Sequence, residues 1–319
     1  MKKHKICKIL LVILAIFLCV AFYELLGICV AYKKQPEVSN TTKKETKNGS
    51  WNECSENTER AVIIEKNPEA LLQRVRLIKN AKKEIILSTF AFQSDESGKL
   101  ILGALHDAAD RGVHIRLLVD GMESWIDMEG NPYFYGLSSH ENVEIKLYNK
   151  ANPLKPWKMM GRMHDKYLIA DGKRYILGGR NTYNYFLGDF PGHKNYDRDV
   201  LVVCDEPEKE NSVNQLSEYF ETIWNQEDSG YFHNNKKLAN RKSVKNAVLE
   251  LQNGYQKYFE ENKERICETD YTDETFETEK IALVSNPIHT GSKEPVVWYQ
   301  LGELMKNAKN RVKIHTPYI

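Results

Sequence analysis

Hydrophobic residues form one long uninterrupted segment near the start of the chain. From Ile9 to Tyr32 the sequence is apolar except for Glu24 and Gly27, and this length crosses a bilayer as a helix. A cleavable secretory signal would have a shorter apolar region and a small-residue cleavage site. We therefore predict a single-pass anchor over residues 1–34 that holds the protein at the cell membrane, with a cleaved signal as the alternative. Lysines flank both ends of the run, so its orientation stays open.

The next segment, residues 35–60, is polar and has no apolar periodicity. Such a composition cannot bury enough apolar surface to offset the entropy of ordering a chain. The sequence therefore predicts a flexible stalk between the anchor and the folded part of the protein.

Helical and strand periodicities alternate after this stalk. Apolar residues recur at helical spacing over residues 71–78 and precede a strand-like run at 85–90, and a second such pair covers 100–108 and 113–119. Each helix in such an alternation covers a face of a sheet. We predict an α/β lobe over residues 61–235, with a mixed, mostly parallel sheet flanked by helices.

Charge and cysteine content limit which partners and metal sites the sequence predicts. The 45 Lys and Arg residues balance 44 Asp and Glu residues, so the formal charge of +1 gives no reason to expect a nucleic-acid partner. The six cysteines are too few for a disulfide framework, and those outside the apolar run lack the spacing of zinc ligands. We expect no metal and no cofactor.

A cluster of residue types suited to a phosphate lies between residues 162 and 203. His164 and Lys166 are two residues apart, so on a strand their side chains point to the same face. The pair Gly178 and Gly179 allows close approach of the backbone and returns Asn181 to that face. The ammonium and the amide could hold phosphate oxygens, while a neutral imidazole could attack phosphorus or carry a proton.

The spacing His-x-Lys-x4-Asp, followed by Gly-Gly-x-Asn, resembles the signature of the phospholipase D superfamily. Within that superfamily, residues 60–230 look most like the bacterial cardiolipin synthases of the C-type subgroup. The segments that carry this narrower resemblance are Tyr148-Asn149 to Asn152-Pro153, Arg162-Met163-His164, Gly178-Gly179-Arg180-Asn181, Tyr185-Phe186 and Asp197-Arg198-Asp199-Val200.

The resemblance implies a role for each residue of the motif. His164 would be the nucleophile that forms a phosphohistidine, or its acid/base partner. Lys166 would hold the phosphate oxygens, and Asn181 would be a further donor. The resemblance gives Asp171 a structural role in the turn, and we place Gly178 and Gly179 with it as structural support of the motif.

Two carboxylates and two cations complete the set of candidates. Asp197 and Asp199 would share one face of the next strand, and one of them, with Asp197 preferred, would accept a hydrogen bond from the second nitrogen of His164. Lys158 and Arg162 belong to a basic stretch that could hold a lipid headgroup, although a solvated loop explains it equally well.

An internal repeat bears on how complete the site is. The sequence Leu-Ile-Lys-Asn-Ala-Lys at 77–82 returns as Leu-Met-Lys-Asn-Ala-Lys at 304–309, and an apolar strand is predicted after each copy, the second from Val312 to Thr316. We predict a helical, charged connector over residues 236–280 and the start of a second, C-terminally truncated lobe over 281–319. Enzymes of the superfamily pair two His-Lys motifs, so the missing lobe would supply the second motif, with a second protomer as the alternative.

These features together predict a phosphatidyltransferase. The resemblance implies a cardiolipin synthase that acts on phosphatidylglycerol, a phospholipid substrate in the membrane, through a phosphohistidine. One alternative is hydrolysis of lipid or nucleic-acid phosphodiesters by the same intermediate. A second is a membrane protein that keeps a phosphate-binding lobe without catalysis.

Overall fold

The computed structural model describes residues 2–47, 59–204, 211–233 and 235–314. The chain divides into two compact units. The first unit contains residues 1–53, 152–161 and 282–319, and the second contains residues 54–151 and 162–281. The second unit includes the sheet and every residue of the His-x-Lys and Gly-Gly-x-Asn motifs.

The described strands are β1 Glu59–Ile64, β2 Glu84–Thr89, β3 His114–Asp120, β4 Val143–Tyr148, β5 Lys166–Ala170, β6 Arg174–Gly178, β7 Asp199–Cys204, β8 Ser229–Tyr231 and β9 Phe276–Glu277. The described helices are α1 Lys2–Ala31, α2 Asn40–Lys47, α3 Asn67–Asn80, α4 Glu96–Asp110, α5 Glu123–Met128, α6 Pro132–Ser138, α7 Ser212–Trp224, α8 Lys242–Glu261, α9 Lys263–Cys267 and α10 Val296–Lys306.

The strands of the second unit form one sheet in the order β8-β4-β3-β2-β5-β6-β7-β1-β9. The predicted mixed sheet flanked by helices is confirmed, but the expectation that it is mostly parallel is wrong. Only β2–β3 and β3–β4 pair in parallel among the described strands. The helix crossovers that produce parallel pairs occur only in this part of the lobe. The hairpin between β5 and β6 and the pairings of β7 and β1 make the rest antiparallel.

Helices cover both faces of this sheet because side chains alternate along each strand. Ile115 and Leu117 of β3 belong to the main hydrophobic core, which they share with residues of α3, α4 and α8. Arg116, between them, points to the opposite face, where its guanidinium stacks 4.8 Å from the ring centroid of Phe220 on α7. The sheet is therefore buried on both faces, so a ligand can reach it at the ends of its strands.

The segment predicted to be a connector, residues 236–280, belongs to the lobe itself. Leu251, Tyr255 and Phe259 are buried along one side of α8, which packs on α4 and α6. Strand β9 then pairs with β1 at the edge of the sheet. The recurrence of apolar residues every four positions indicates a helix with a buried face, and this pattern outweighs the high Lys and Glu content that suggested a connector.

The first unit contains the long apolar helix. Within α1, the span Lys5–Ala31 contains an 18-residue window with a mean hydropathy of 2.9. Helix α1 is the one described helix that is long and apolar enough to cross a membrane. The predicted flexible stalk is partly ordered, because α2 lies within it and Thr42 Oγ1 donates to Glu294 Oε1 at 2.6 Å. Strand β1 also begins inside the predicted stalk, at Glu59, while residues 48–58 lie outside the described residues.

The internal repeat coincides with the ends of two helices. Residues 77–82 span the end of α3, and residues 304–309 span the end of α10. The strand predicted from Val312 is not present over residues 311–314, and its continuation at 315–319 lies outside the described residues.

Candidate active site

The hairpin between β5 and β6 positions the motif. Asp171 and Gly172 at its turn have φ angles of +54° and +62°, and a two-residue Asp-Gly turn with positive φ favours a tight hairpin. The Asp171 carboxylate accepts the backbone N–H groups of Lys82, Lys83 and Glu84 at 2.9, 2.7 and 3.0 Å. Asp171 thus connects the turn to the start of β2. The turn lies at the end of β5 that is opposite Lys166.

Lys166 is the first residue of β5, and its side chain is only 6% exposed. Its Nζ donates to the backbone oxygen of His164 at 2.6 Å and lies 5.3 Å from the centroid of the Phe90 ring. Burial lowers the pKa of Lys166 to about 8, although the charges of Asp165, Asp197 and Asp120 oppose this effect. The site therefore holds a cation that is poorly solvated and ready for an anionic ligand.

His164 lies just before β5, in an extended segment, so the prediction that it shares the strand with Lys166 is wrong. Its exposed ring meets the Phe90 ring edge-on, with 4.7 Å between the centroids. Partial desolvation and the nearby Lys166 charge lower the pKa of His164, while Asp120 raises it. The imidazole is consequently neutral near pH 7, which is the form that can attack an electrophile.

The two glycines leave room for carboxylates. A Cβ on Gly178 would lie 2.0 Å from Asp199 Oδ1, and a Cβ on Gly179 would lie 2.0 Å from Asp197 Oδ2. Either side chain would force the neighbouring strand away. The requirement for glycine here therefore comes from the packing of two carboxylates against the backbone.

Asn181 follows the glycine pair and is 7% exposed. Its Oδ1 accepts the backbone N–H of Ala91 at 3.2 Å, and the following residue, Thr182, donates its N–H to the Ala91 oxygen at 3.0 Å. These bonds join the loop after β6 to the segment after β2 that carries Phe90.

The two aspartates do not act as predicted. Asp199 is 2% exposed, and its Oδ2 binds Arg74 Nη1 at 2.8 Å and Arg180 Nη1 at 3.2 Å. Asp197 precedes β7, so the two carboxylates do not share a strand face. Among the described residues, no hydrogen bond joins the His164 ring to either carboxylate. Asp197 instead lies over Gly179 and acts electrostatically on Lys166.

The two basic residues considered for headgroup binding belong to different compact units. Arg162 Nη2 forms an ion pair with the buried carboxylate of Asp120, and its Nη1 donates to the Asn149 oxygen at 3.2 Å. This guanidinium is therefore used to fix the loop before His164. Lys158 belongs to the first compact unit, in the short helix Pro156–Lys158.

Asp120 is the functional residue that the sequence analysis missed. It ends β3, is fully buried, and accepts the backbone N–H of Met163 on Oδ2 at 3.1 Å. Its Oδ1 accepts the N–H groups of Met122 and Glu123 at 3.1 and 3.2 Å. A carboxylate at the end of a buried strand, followed by glycine, is the sequence feature that could have indicated it, because such ends meet at ligand sites.

Substitution of Asp120 by asparagine is expected to shift the pH dependence of kcat/KM. Lys166 must be charged to hold a phosphate, so activity should fall as the pH rises through its pKa of about 8. The Asp120 carboxylate raises this pKa, so in Asp120→Asn the alkaline limb should move to lower pH. Profiles on a phosphodiester substrate measure the shift. The exposed Asp189→Asn is the control, and an unmoved limb in Asp120→Asn would contradict the assignment.

Similarity to known proteins agrees with this geometry. Residues 74–224 match a family model described as "Cardiolipin synthase, PLD-like domain". An uncharacterized protein of Helicobacter pylori strain J99 is 31% identical over 206 residues, covering 60% of this chain and 38% of the relative. Cardiolipin synthase C of Escherichia coli K12 is 30% identical over 154 residues, covering 44% of this chain and 31% of the relative. The chain spans about a third of the length of these curated relatives.

A solved structure, NucT from Helicobacter pylori, aligns with a TM-score of 0.42 at 17% identity and covers 55% of this chain and 99% of its own.

The lobe is a mixed sheet flanked by helices, and a His-x-Lys segment and a Gly-Gly-x-Asn turn lie at one end of its central strands. These features define a phospholipase D-like lobe. Residues 74–224 are therefore a phospholipase D-like domain, and the relatives of this part of the chain include cardiolipin synthases. Homologues in this superfamily are enzymes that act as phosphatidyltransferases or phosphodiesterases. The assignment to the C-type subgroup stays a prediction.

Proposed function

We propose that the protein is a membrane-anchored phosphatidyltransferase that makes cardiolipin from phosphatidylglycerol. The observation that carries this proposal is the buried Lys166 ammonium beside the exposed, neutral His164 imidazole. A buried cation that forms no ion pair with a described residue would attract a phosphodiester, and the adjoining imidazole would then meet phosphorus. The similarity to cardiolipin synthases supports the lipid substrate.

The reaction would proceed by two displacements. A ring nitrogen of His164 attacks the phosphorus of phosphatidylglycerol, and the bond from phosphorus to the headgroup glycerol oxygen breaks. Glycerol leaves after gaining a proton, and a phosphatidyl-histidine remains. The headgroup hydroxyl of a second phosphatidylglycerol then attacks this phosphorus, loses its proton, and releases free His164 with cardiolipin. Lys166 and Asn181 would hold the phosphate oxygens, where negative charge increases during each displacement.

The leaving glycerol needs a general acid, and this lobe contains one His-x-Lys motif. We propose that a second motif of the same kind supplies the acid, from a second lobe or from a second copy of the chain. The similar helix ends at residues 77–82 and 304–309 support a second lobe. The span Lys5–Ala31 would anchor the protein as a single-pass membrane protein and hold the site at its substrate.

Incubation of the full-length protein with phosphatidylglycerol vesicles is expected to yield cardiolipin and glycerol in equal amounts. Lipid products are separated by chromatography and identified by mass spectrometry, and glycerol is measured enzymatically. The Lys166→Met variant, which keeps an apolar stem without the charge, is the matched control and should give no product. Phosphatidic acid without cardiolipin would instead identify water as the acceptor and make the protein a phospholipase D-type hydrolase.

A further inference from the structure

The short helix α5 places large apolar side chains on the surface of the lobe. Trp125 is 67% exposed and Ile126 is 76% exposed, and Met122, just before the helix, is 42% exposed. Two other residues of this helix, Ser124 and Met128, are fully buried. Helix α5 is thus anchored on one side, and the apolar groups on its other side have no cover in the lobe.

This apolar surface is attached to the candidate active site through one carboxylate. Asp120 accepts the N–H groups of Met122 and Glu123 at the start of α5, and the same carboxylate accepts the N–H of Met163, next to His164. The Ser124 hydroxyl also donates to the Asp120 backbone oxygen at 2.5 Å. The start of helix α5 and the segment that contains His164 are therefore both hydrogen-bonded to the same residue, Asp120, at the end of β3.

A second exposed aromatic side chain lies on another segment of the site. Tyr196 is 79% exposed and comes directly before Asp197, whose charge acts on Lys166. Lys194, in the same segment, donates to the Asn184 backbone oxygen at 2.7 Å. An aromatic residue near a cation is the combination that favours the headgroup region of a bilayer.

We propose that Met122, Trp125 and Ile126, hereafter the α5 surface, dock on a phospholipid bilayer. Amphipathic tryptophan and an aliphatic neighbour suit the boundary between headgroups and acyl chains. The same chain carries an apolar helix long enough to cross a bilayer, so a membrane is the partner that the lobe meets. The proposal rests on the proposed function, since docking here would bring headgroups to His164.

Helix α5 also carries two acidic residues beside its apolar ones. Burial and repulsion from neighbouring carboxylates raise the pKa values of Glu123 and Asp127. Both groups carry their charge less readily than free carboxylates, and Asp127 also accepts a hydrogen bond from Gln93 Nε2 at 3.4 Å. Apolar contact, and not attraction between charges, would therefore drive the docking of the α5 surface.

Depth-dependent fluorescence quenching tests the proposal independently of catalysis. The full-length protein and its Trp125→Phe variant are reconstituted into phosphatidylcholine and phosphatidylglycerol vesicles that contain lipids brominated near the top of the acyl chains. The wild type should show a quenched component that is absent from the variant. Equal quenching in the two proteins would overturn the proposal and indicate that the α5 surface serves a protein partner.

A second measurement compares turnover on two substrates. The double variant Trp125→Ser/Ile126→Ser should lower the ratio of turnover on phosphatidylglycerol vesicles to turnover on soluble bis(p-nitrophenyl) phosphate by about tenfold, a change that loss of an apolar docking contact can produce. The matched control is Leu249→Ser, which removes a 57% exposed apolar side chain from α8. An unchanged ratio in the double variant would overturn the proposal. If the wild type turned over neither substrate, the proposed function would fail. The quenching experiment would still show whether the α5 surface docks on the bilayer.

Discussion

Replacement of His164 by alanine should reduce lipid turnover at least about a thousandfold, because nucleophile and acid act as a unit in such mechanisms. The side chain is exposed and contacts the Phe90 ring without a buried partner, so its loss should leave the fold intact. Turnover of phosphatidylglycerol and the thermal unfolding midpoint are measured side by side. The expected result is lost activity at an unchanged unfolding temperature.

The control for this variant is His114→Ala. His114 begins β3, at the opposite end of the strand from Asp120, so its loss should keep the activity. A covalent phosphatidyl-enzyme labelled from radioactive phosphatidylglycerol should also be trapped in the wild type by rapid denaturation in detergent at mildly alkaline pH, because a phosphorus–nitrogen bond is labile in acid, and it should be absent from His164→Ala. Residual activity above a tenth of the wild-type rate would remove His164 from the role of nucleophile.

Replacement of Asp199 by alanine should destabilise the lobe by about 3–5 kcal/mol, the usual cost of leaving buried charges without their partner. Its carboxylate binds Arg74 and Arg180, whose side chains are 5% and 0% exposed. Arg180 also donates to the backbone oxygens of Ile64 and Glu65, so its displacement would loosen the end of β1. Unfolding in denaturant, followed by circular dichroism, measures the loss.

Asp189→Ala, at an exposed position, is the matched control and should change the unfolding free energy by less than about 0.5 kcal/mol. The combined variant Asp199→Leu/Arg74→Met should recover part of the loss, because it removes one buried cation together with the carboxylate. A single Asp199→Ala variant as stable as the wild type would show that the two guanidinium groups find other partners.

Local sequence patterns were sufficient for the hairpin and for the identity of the motif. The Asp171-Gly172 turn follows from short-range backbone preferences, and the spacing from Lys166 to Asn181 is set by the two strands beside that turn. The α/β alternation was also visible, because each helix and strand carries its own period. The direction of the strands was not visible, because it depends on which strands pair across the whole sheet.

Long-range ion pairs were beyond the reach of these patterns. Arg74 and Asp199 are 125 positions apart, and Arg162 and Asp120 are 42 positions apart. Periodicity says which positions are buried but does not say which buried charges meet. The motif therefore offers Asp199, beside the preferred Asp197, as a partner of His164, although two arginines already balance the charge of Asp199.

The same limit explains why the sequence patterns do not predict the role of Asp120. Its importance comes from contacts with Met163 and the start of α5, which meet only when β3 and the segment before β5 lie side by side. The sequence shows Asp120 at the end of a strand and before a glycine, which can indicate a ligand site, but it does not show these two contacts.

The lowered pKa of Lys166 couples the binding of an anionic ligand to the uptake of a proton. With a pKa of about 8, the empty site is partly deprotonated in mildly alkaline solution. An anionic headgroup favours the charged form, so each binding event draws a proton from the surroundings. Anionic lipids concentrate protons at the bilayer surface. If the proposed function holds, substrate capture is strongest where acidic phospholipid is already abundant, and the lipid composition of the bilayer influences the charge state of Lys166.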